Sequence, residues 1–68
     1  METRIAELRR QQKLSQEDLA KAVGVTRQTI TSLEVGKYTA SLFLAHKIAR
    51  FFKLTIEDIF LFEKEENK

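Results

Sequence analysis

Apolar residues in this 68-residue chain fall at helical spacing in short blocks. Ile5 and Leu8, three apart, predict a first helix over 2–12, with Leu14 following it. Leu19, Ala20 and Val23 form the buried face of a second helix. Ser15 suits its N-cap, and Asp18 at the third position suggests a capping box, although Asp reaches back less well than Glu. Gly24 sits where a left-handed residue ends a helix cheaply. Thr26 can cap a third helix, whose inward stripe is Ile30 and Leu33 and which Gly36 closes. Ser41 opens a fourth, with Leu44, Ala45, Ile48, Ala49 and Phe52 as a wide apolar band. Thr55, again with Asp at the third position, caps a short fifth helix in which Ile56, Ile59 and Phe60 face inward. Pro is absent and Gly occurs only at 24 and 36, so long helices between two punctuation marks are expected.

The polar side of the third helix carries the candidate chemistry. On a 3.6-residue period Gln28, Thr31, Ser32 and Val35 lie opposite its apolar stripe, with Arg27 on the flank of the first turn. The DNA major groove admits one α-helix and displays donors and acceptors on base edges. Arg can fork onto guanine and Gln onto adenine, while Thr31 and Ser32 are weaker base or phosphate contacts. The bland alternative is a solvated helix start, where Arg and Gln are common. Val35 is either a thymine-methyl contact or a chance exposed apolar residue.

Composition narrows the classes. A chain this short is one domain with a modest core, and the absence of Cys removes disulfide and thiolate-metal bracing. The net charge of +2 is uneven: residues 1–53 hold ten Lys/Arg against five Asp/Glu (+5), and residues 54–68 hold two against five (−3). A basic body with an acidic end points weakly to a polyanion partner. No apolar run resembles a signal peptide or approaches ~18 residues, so a soluble, cytoplasmic protein without membrane association is expected.

Taken together, Leu14-Ser15-Gln16-Glu17-Asp18-Leu19-Ala20, Val23-Gly24-Val25-Thr26-Arg27-Gln28-Thr29-Ile30 and Leu33-Glu34-x-Gly36-Lys37-Tyr38 resemble the Cro and phage-repressor (Xre-type) helix-turn-helix family. Leu42-x-Leu44-Ala45-x-Lys47-Ile48-Ala49 and Ile56-Glu57-Asp58-Ile59-Phe60 extend the match over nearly the whole chain. The resemblance implies an all-α, five-helix, lambda-repressor-like DNA-binding domain over residues 1–62, its helix-turn-helix formed by the second and third helices. Residues 63–68 form a charged tail that should point away from DNA. The family is commonly dimeric and usually represses transcription; its short stand-alone members are the most similar.

The same resemblance implies roles for single residues. Arg27 and Gln28 match the family's base readers. Gln16 matches a phosphate contact at the start of the second helix, and Lys37, Tyr38 and Ser41 match the backbone-contacting loop, with Thr26 and Thr29 also near phosphates; Tyr38 reads equally well as a packing residue with its hydroxyl in water. Arg9 and Glu34 each follow a core Leu, and the matching pair in phage-repressor relatives forms an ion pair. The family often has Pro where this chain has Ala40, which puts the rigidity of the 37–41 loop in doubt.

Phe43, Phe51, Leu61 and Phe62 exceed what a modest core should hold. They suggest a symmetric homodimer through the end of the fourth helix, the fifth helix and residues 59–63, with Phe51, Ile59, Leu61 and Phe62 at the interface; the alternative is that some of them pack as the rim of the monomer core. His46, without Cys or clustered carboxylates nearby, reads as a surface residue, and neither metal nor cofactor is expected. The chain has no Gly-rich phosphate loop, nucleophile elbow or Cys nucleophile, which argues against an enzyme. The expected partner is double-stranded DNA, read as a near-palindrome. The alternative is a protein-interaction module of the same fold, an antitoxin or adaptor.

Overall fold

Four hydroxyls start four helices. In the computed structural model, which describes residues 1–63, the elements are α1 (Ile5–Gln11), α2 (Gln16–Val23), α3 (Arg27–Glu34), α4 (Leu42–Phe52) and α5 (Ile56–Ile59). The Ser15, Thr26, Ser41 and Thr55 side chains accept from the amides of Asp18, Thr29, Leu44 and Asp58. Both Asp residues complete the box despite their short reach: Asp18 Oδ2 accepts from the Ser15 amide and Asp58 Oδ2 from the Thr55 amide, each at 3.0 Å. These bonds satisfy amides that have no partner within the helix.

The helices are shorter than two glycines would suggest, because two lysines act as extra punctuation. Gly24, Gly36, Lys13 and Lys53 all have positive φ, at 78°, 81°, 58° and 60°. In each case the next amide returns to a carbonyl five residues back: Leu14 to Arg9, Val25 to Ala20, Lys37 to Ser32 and Leu54 to Ala49. This closure holds the last carbonyls of each helix. A left-handed conformation costs a non-glycine residue roughly 1–2 kcal/mol, so the helix boundaries at Lys13 and Lys53 are imposed by packing rather than by local preference.

The first helix begins at Ile5 rather than near residue 2. Thr3 forms an isolated antiparallel bridge with Phe60, the Arg4 amide donates to the Ile59 carbonyl (2.8 Å), and the Leu61 amide donates to the Glu2 carbonyl (3.0 Å). The Met1 amino group donates to the Gly36 carbonyl at 3.2 Å. The opening residues are thus extended against the segment after α5.

Every helix contributes to one core: Ile5, Leu19, Ile30, Leu33, Ile48 and Ile59 are fully buried. Burying each side chain is worth about 1.5–3 kcal/mol. α2 packs on α3 and α4, α1 on α3, and α5 on α4. Ile59 corrects one expectation: with no exposed surface it belongs to the monomer core and offers no side chain to a partner. The expected charged tail, from Lys64 onward, lies outside the described residues.

Candidate nucleic-acid interface

The apolar stripe of α3 locks its orientation, since Ile30 and Leu33 are completely buried and the helix turns its other faces outward. Its two polar edges have different surroundings. One, through Arg27, Thr31 and Glu34, faces the start of α2. The other, through Gln28, Ser32 and Val35, is open.

On the first edge Glu34 is the anchor. Arg9 reaches it from α1 with two bonds, Nε to Oε2 at 2.8 Å and Nη2 to Oε1 at 3.2 Å, and the Arg9 Nη1 group donates to the Leu14 carbonyl at 2.8 Å. The side chains are 12% and 7% exposed, so this pair is desolvated, unlike a surface pair. Burial pushes the Glu34 carboxyl up, but the bonds from Arg9 and Gln16 and the nearby Arg9 and Arg10 charges outweigh it, and the net shift is below the ordinary carboxylate value. The bond to Glu34, opposed by burial and aided by its charge, raises Arg9 further.

Gln16 extends this pair to the outer side of α3. Its Nε2 donates to Glu34 Oε1 at 3.0 Å, which points its Oε1 at α3. That oxygen takes the Thr31 hydroxyl at 3.1 Å and the Arg27 Nε at 3.4 Å. The Thr31 hydroxyl is also within 3.1 Å of the Arg27 carbonyl. Thr31 is therefore half-buried and internally bonded, not a freely presented base contact. Arg27 uses Nε alone, and its two Nη groups make no hydrogen bond among the described residues.

The second edge lines an open depression of about 230 Å³ with Thr26, Gln28, Thr29, Ser32 and Tyr38. Gln28 is exposed and Ser32 half-exposed, and neither side chain has a hydrogen-bond partner among the described residues. The Thr26 and Thr29 hydroxyls lie 3.1 Å apart, and Thr26 also caps the helix. Val35 is 61% exposed and Tyr38 43%. Lys37 is exposed in the loop, and Ser41 holds the Leu44 amide at 3.2 Å. The fold therefore gathers Gln16, Arg27, Gln28, Ser32, Tyr38 and the 37–41 loop around one exposed helix.

The predicted interface aromatics lie elsewhere. Phe51 is half-buried and meets Phe52 edge-to-face at 5.1 Å, Leu61 is half-buried, and Phe62 is 41% exposed. Leu42 (78% exposed) and Phe43 (83%) project furthest. Among the described residues no His/Cys/Asp/Glu group could hold a metal ion, and no helix is long and apolar enough to cross a membrane. Sequence reasoning missed Gln16's bonds to Glu34, Thr31 and Arg27. Separations of 18, 15 and 11 residues leave no periodic signal; only the polarity of all four residues hinted at it.

Comparison with known proteins identifies the family. The model of the helix-turn-helix family matches residues 5–59. An uncharacterized HTH-type transcriptional regulator of Archaeoglobus fulgidus is 59% identical over 66 residues, covering 97% of this chain and 93% of that protein. Another, from Methanothermobacter thermautotrophicus, is 52% identical over the full length of both. The crystal structure of the restriction-modification controller protein C.AhdI from Aeromonas hydrophila superposes with a TM-score of 0.76 at 33% identity, covering 84% of this chain and 86% of that one. The chain belongs to the helix-turn-helix family of DNA-binding transcriptional regulators, which are not enzymes.

Proposed function

We propose that this protein binds a near-palindromic operator in double-stranded DNA as a two-fold dimer and represses transcription. The observation that carries the reading is the free fork of Arg27 beside the free amide of Gln28 at the start of an exposed helix. With α3 in the major groove, Arg27 reads guanine and Gln28 reads adenine, and Ser32 supplements them. Gln16, whose Oε1 holds the Nε of Arg27, leaves both Nη groups for a bidentate contact. Thr26, Thr29, Lys37, Tyr38 and Ser41 surround the helix where phosphates would run.

Phe51, Leu61 and Phe62 form the dimer contact in this reading, which spaces two recognition helices about 34 Å apart. Residues 1–62 act as the DNA-binding domain, and a DNA partner implies a cytoplasmic protein. Phe62→Glu should give monomers in sedimentation; intact dimers would remove Phe62 from the interface. The deciding test is a salt titration on random duplex, followed by selection of bound sequences. Affinity should fall steeply with salt because each subunit releases counterions from a few phosphates. Salt-independent or absent binding by folded protein would reject the reading. It would instead favour a protein partner, for which the exposed Leu42 and Phe43 are the supporting observation.

A further inference from the structure

A second charged feature lies where α2 ends against α4. Lys21, His46, Lys47 and Arg50 line an open concavity of about 640 Å³, with Ala22–Gly24 and Phe51 completing it. Its lining contains no carboxylate. Among the described residues Lys21, Lys47 and Arg50 make no ion pair or hydrogen bond. Asp18, three residues before Lys21, binds the Ser15 amide and also feels the Lys21 charge, without forming an ion pair with it.

Helix ends explain part of this cluster. Lys21 is in the last turn of α2 and Arg50 in that of α4, and the Lys47 ammonium lies 4.0 Å from where a Cβ on Gly24 would stand. Each helix C-terminus is equivalent to about −0.5 charge, so two ends offset about one of three cations. The lining itself remains net cationic. The lining shares no residue with the polar edges of α3 and sits at the opposite end of α2 from Gln16, roughly 10 Å away at 1.5 Å per residue.

We propose that this concavity binds a compact polyphosphate anion, either inorganic pyrophosphate or the phosphate chain of a nucleotide. Phosphate oxygens accept from ammonium groups and take the planar guanidinium of Arg50 in bidentate fashion. The His46 ring supplies a further N–H. The site does not depend on how α3 reads DNA.

The test is an amide-resolved NMR titration of the full chain with pyrophosphate and, separately, with ADP. The same titrations are run on a Lys47→Ala/Arg50→Ala variant and on a Lys64→Ala/Lys68→Ala control that removes the same charge. Saturable shifts should centre on residues 21–24 and 46–51. Loss of two charge-assisted contacts should weaken binding at least about tenfold in the first variant, and the control should bind as the parent does. Binding of both probes supports recognition of the phosphate chain, and binding of ADP without pyrophosphate would overturn it. Shifts that fail to saturate, spread over every basic residue, or weaken equally in the control would overturn the site in favour of counterion condensation. Displacement of pyrophosphate by duplex DNA, with matching loss of duplex affinity in the first variant, would overturn it by assigning these cations to the DNA footprint. The spectra themselves report whether each variant is folded.

Discussion

The two polar edges of α3 are only about 100° apart around the helix, yet one is tied down and the other is free. Thr31 and Glu34 have their polar atoms engaged by Gln16 and Arg9, and Arg27 is held at Nε. Gln28 and Ser32 have no partner among the described residues. The difference teaches that exposure and polarity do not by themselves identify a reader of bases. The tied edge orients a few groups at a cost already met on folding, whereas the free edge must lose side-chain entropy when it binds. Arg27 combines both conditions, being fixed at its Nε and open at its fork.

The largest expected effect comes from cutting the anchor of the tied edge. Glu34→Gln leaves the Arg9 guanidinium desolvated without its countercharge, which should cost about 3 kcal/mol, measurable by denaturant unfolding. Thr31 and Gln16 would lose their alignment as well. A change under about 0.5 kcal/mol would show that the network is ornamental to the fold. The pH dependence follows from the same residue. The Glu34 carboxyl titrates below its ordinary value in the native protein, so the unfolded chain binds its proton first as pH falls. Its contribution is complete above the ordinary carboxylate range and disappears as pH drops through the depressed native value. Asp18 and Asp58, lowered chiefly by backbone bonds at their capping boxes, act with the same sign. Acid unfolding of Glu34→Gln should therefore depend less on pH than that of the parent.

Next in size are effects on DNA. Arg27→Ala and Gln28→Ala should each cost about 1–3 kcal/mol of operator binding and relax preference at one base pair. A double-mutant cycle sharpens the comparison. Gln16→Ala should couple to Arg27→Ala, because one holds the other, and should add independently to Gln28→Ala. Coupling of Gln16 to Gln28 instead would place the reader on the wrong edge. Thr26→Ala removes a cap common to both edges; it should lower stability by about 1 kcal/mol and leave sequence preference unchanged.

These contrasts also mark what could be read from sequence. The hydroxyl caps at Ser15, Thr26, Ser41 and Thr55 were legible because a cap is a local bond between residues three apart. Gly24 and Gly36 announced their turns for the same reason. Lys13 and Lys53 did not, because a lysine carries no preference for left-handed backbone and takes it only under tertiary constraint. The pairing of residues 2–4 with 59–61 joins opposite ends of the chain and has no local signature. Ile59 shows a further limit: helical periodicity marks an apolar face but does not say whether that face meets its own core or a partner. The candidate site was legible as a helix with a polar face; which of those polar groups were already bonded was not.

The smallest expected effect lies at the end of the free edge. Val35 caps α3 at its C-terminus and is 61% exposed, so its side chain contributes little to packing. Val35→Ala should change stability by less than about 0.5 kcal/mol, as for surface positions generally. On DNA the outcome depends on what the two methyl groups meet. If they contact a thymine methyl, the variant loses affinity for the selected operator but not for one with uracil at that base pair, because uracil lacks the methyl group. Equal losses on both duplexes would mean that Val35 touches sugar or phosphate instead, and no loss on either would leave the free edge ending at Ser32.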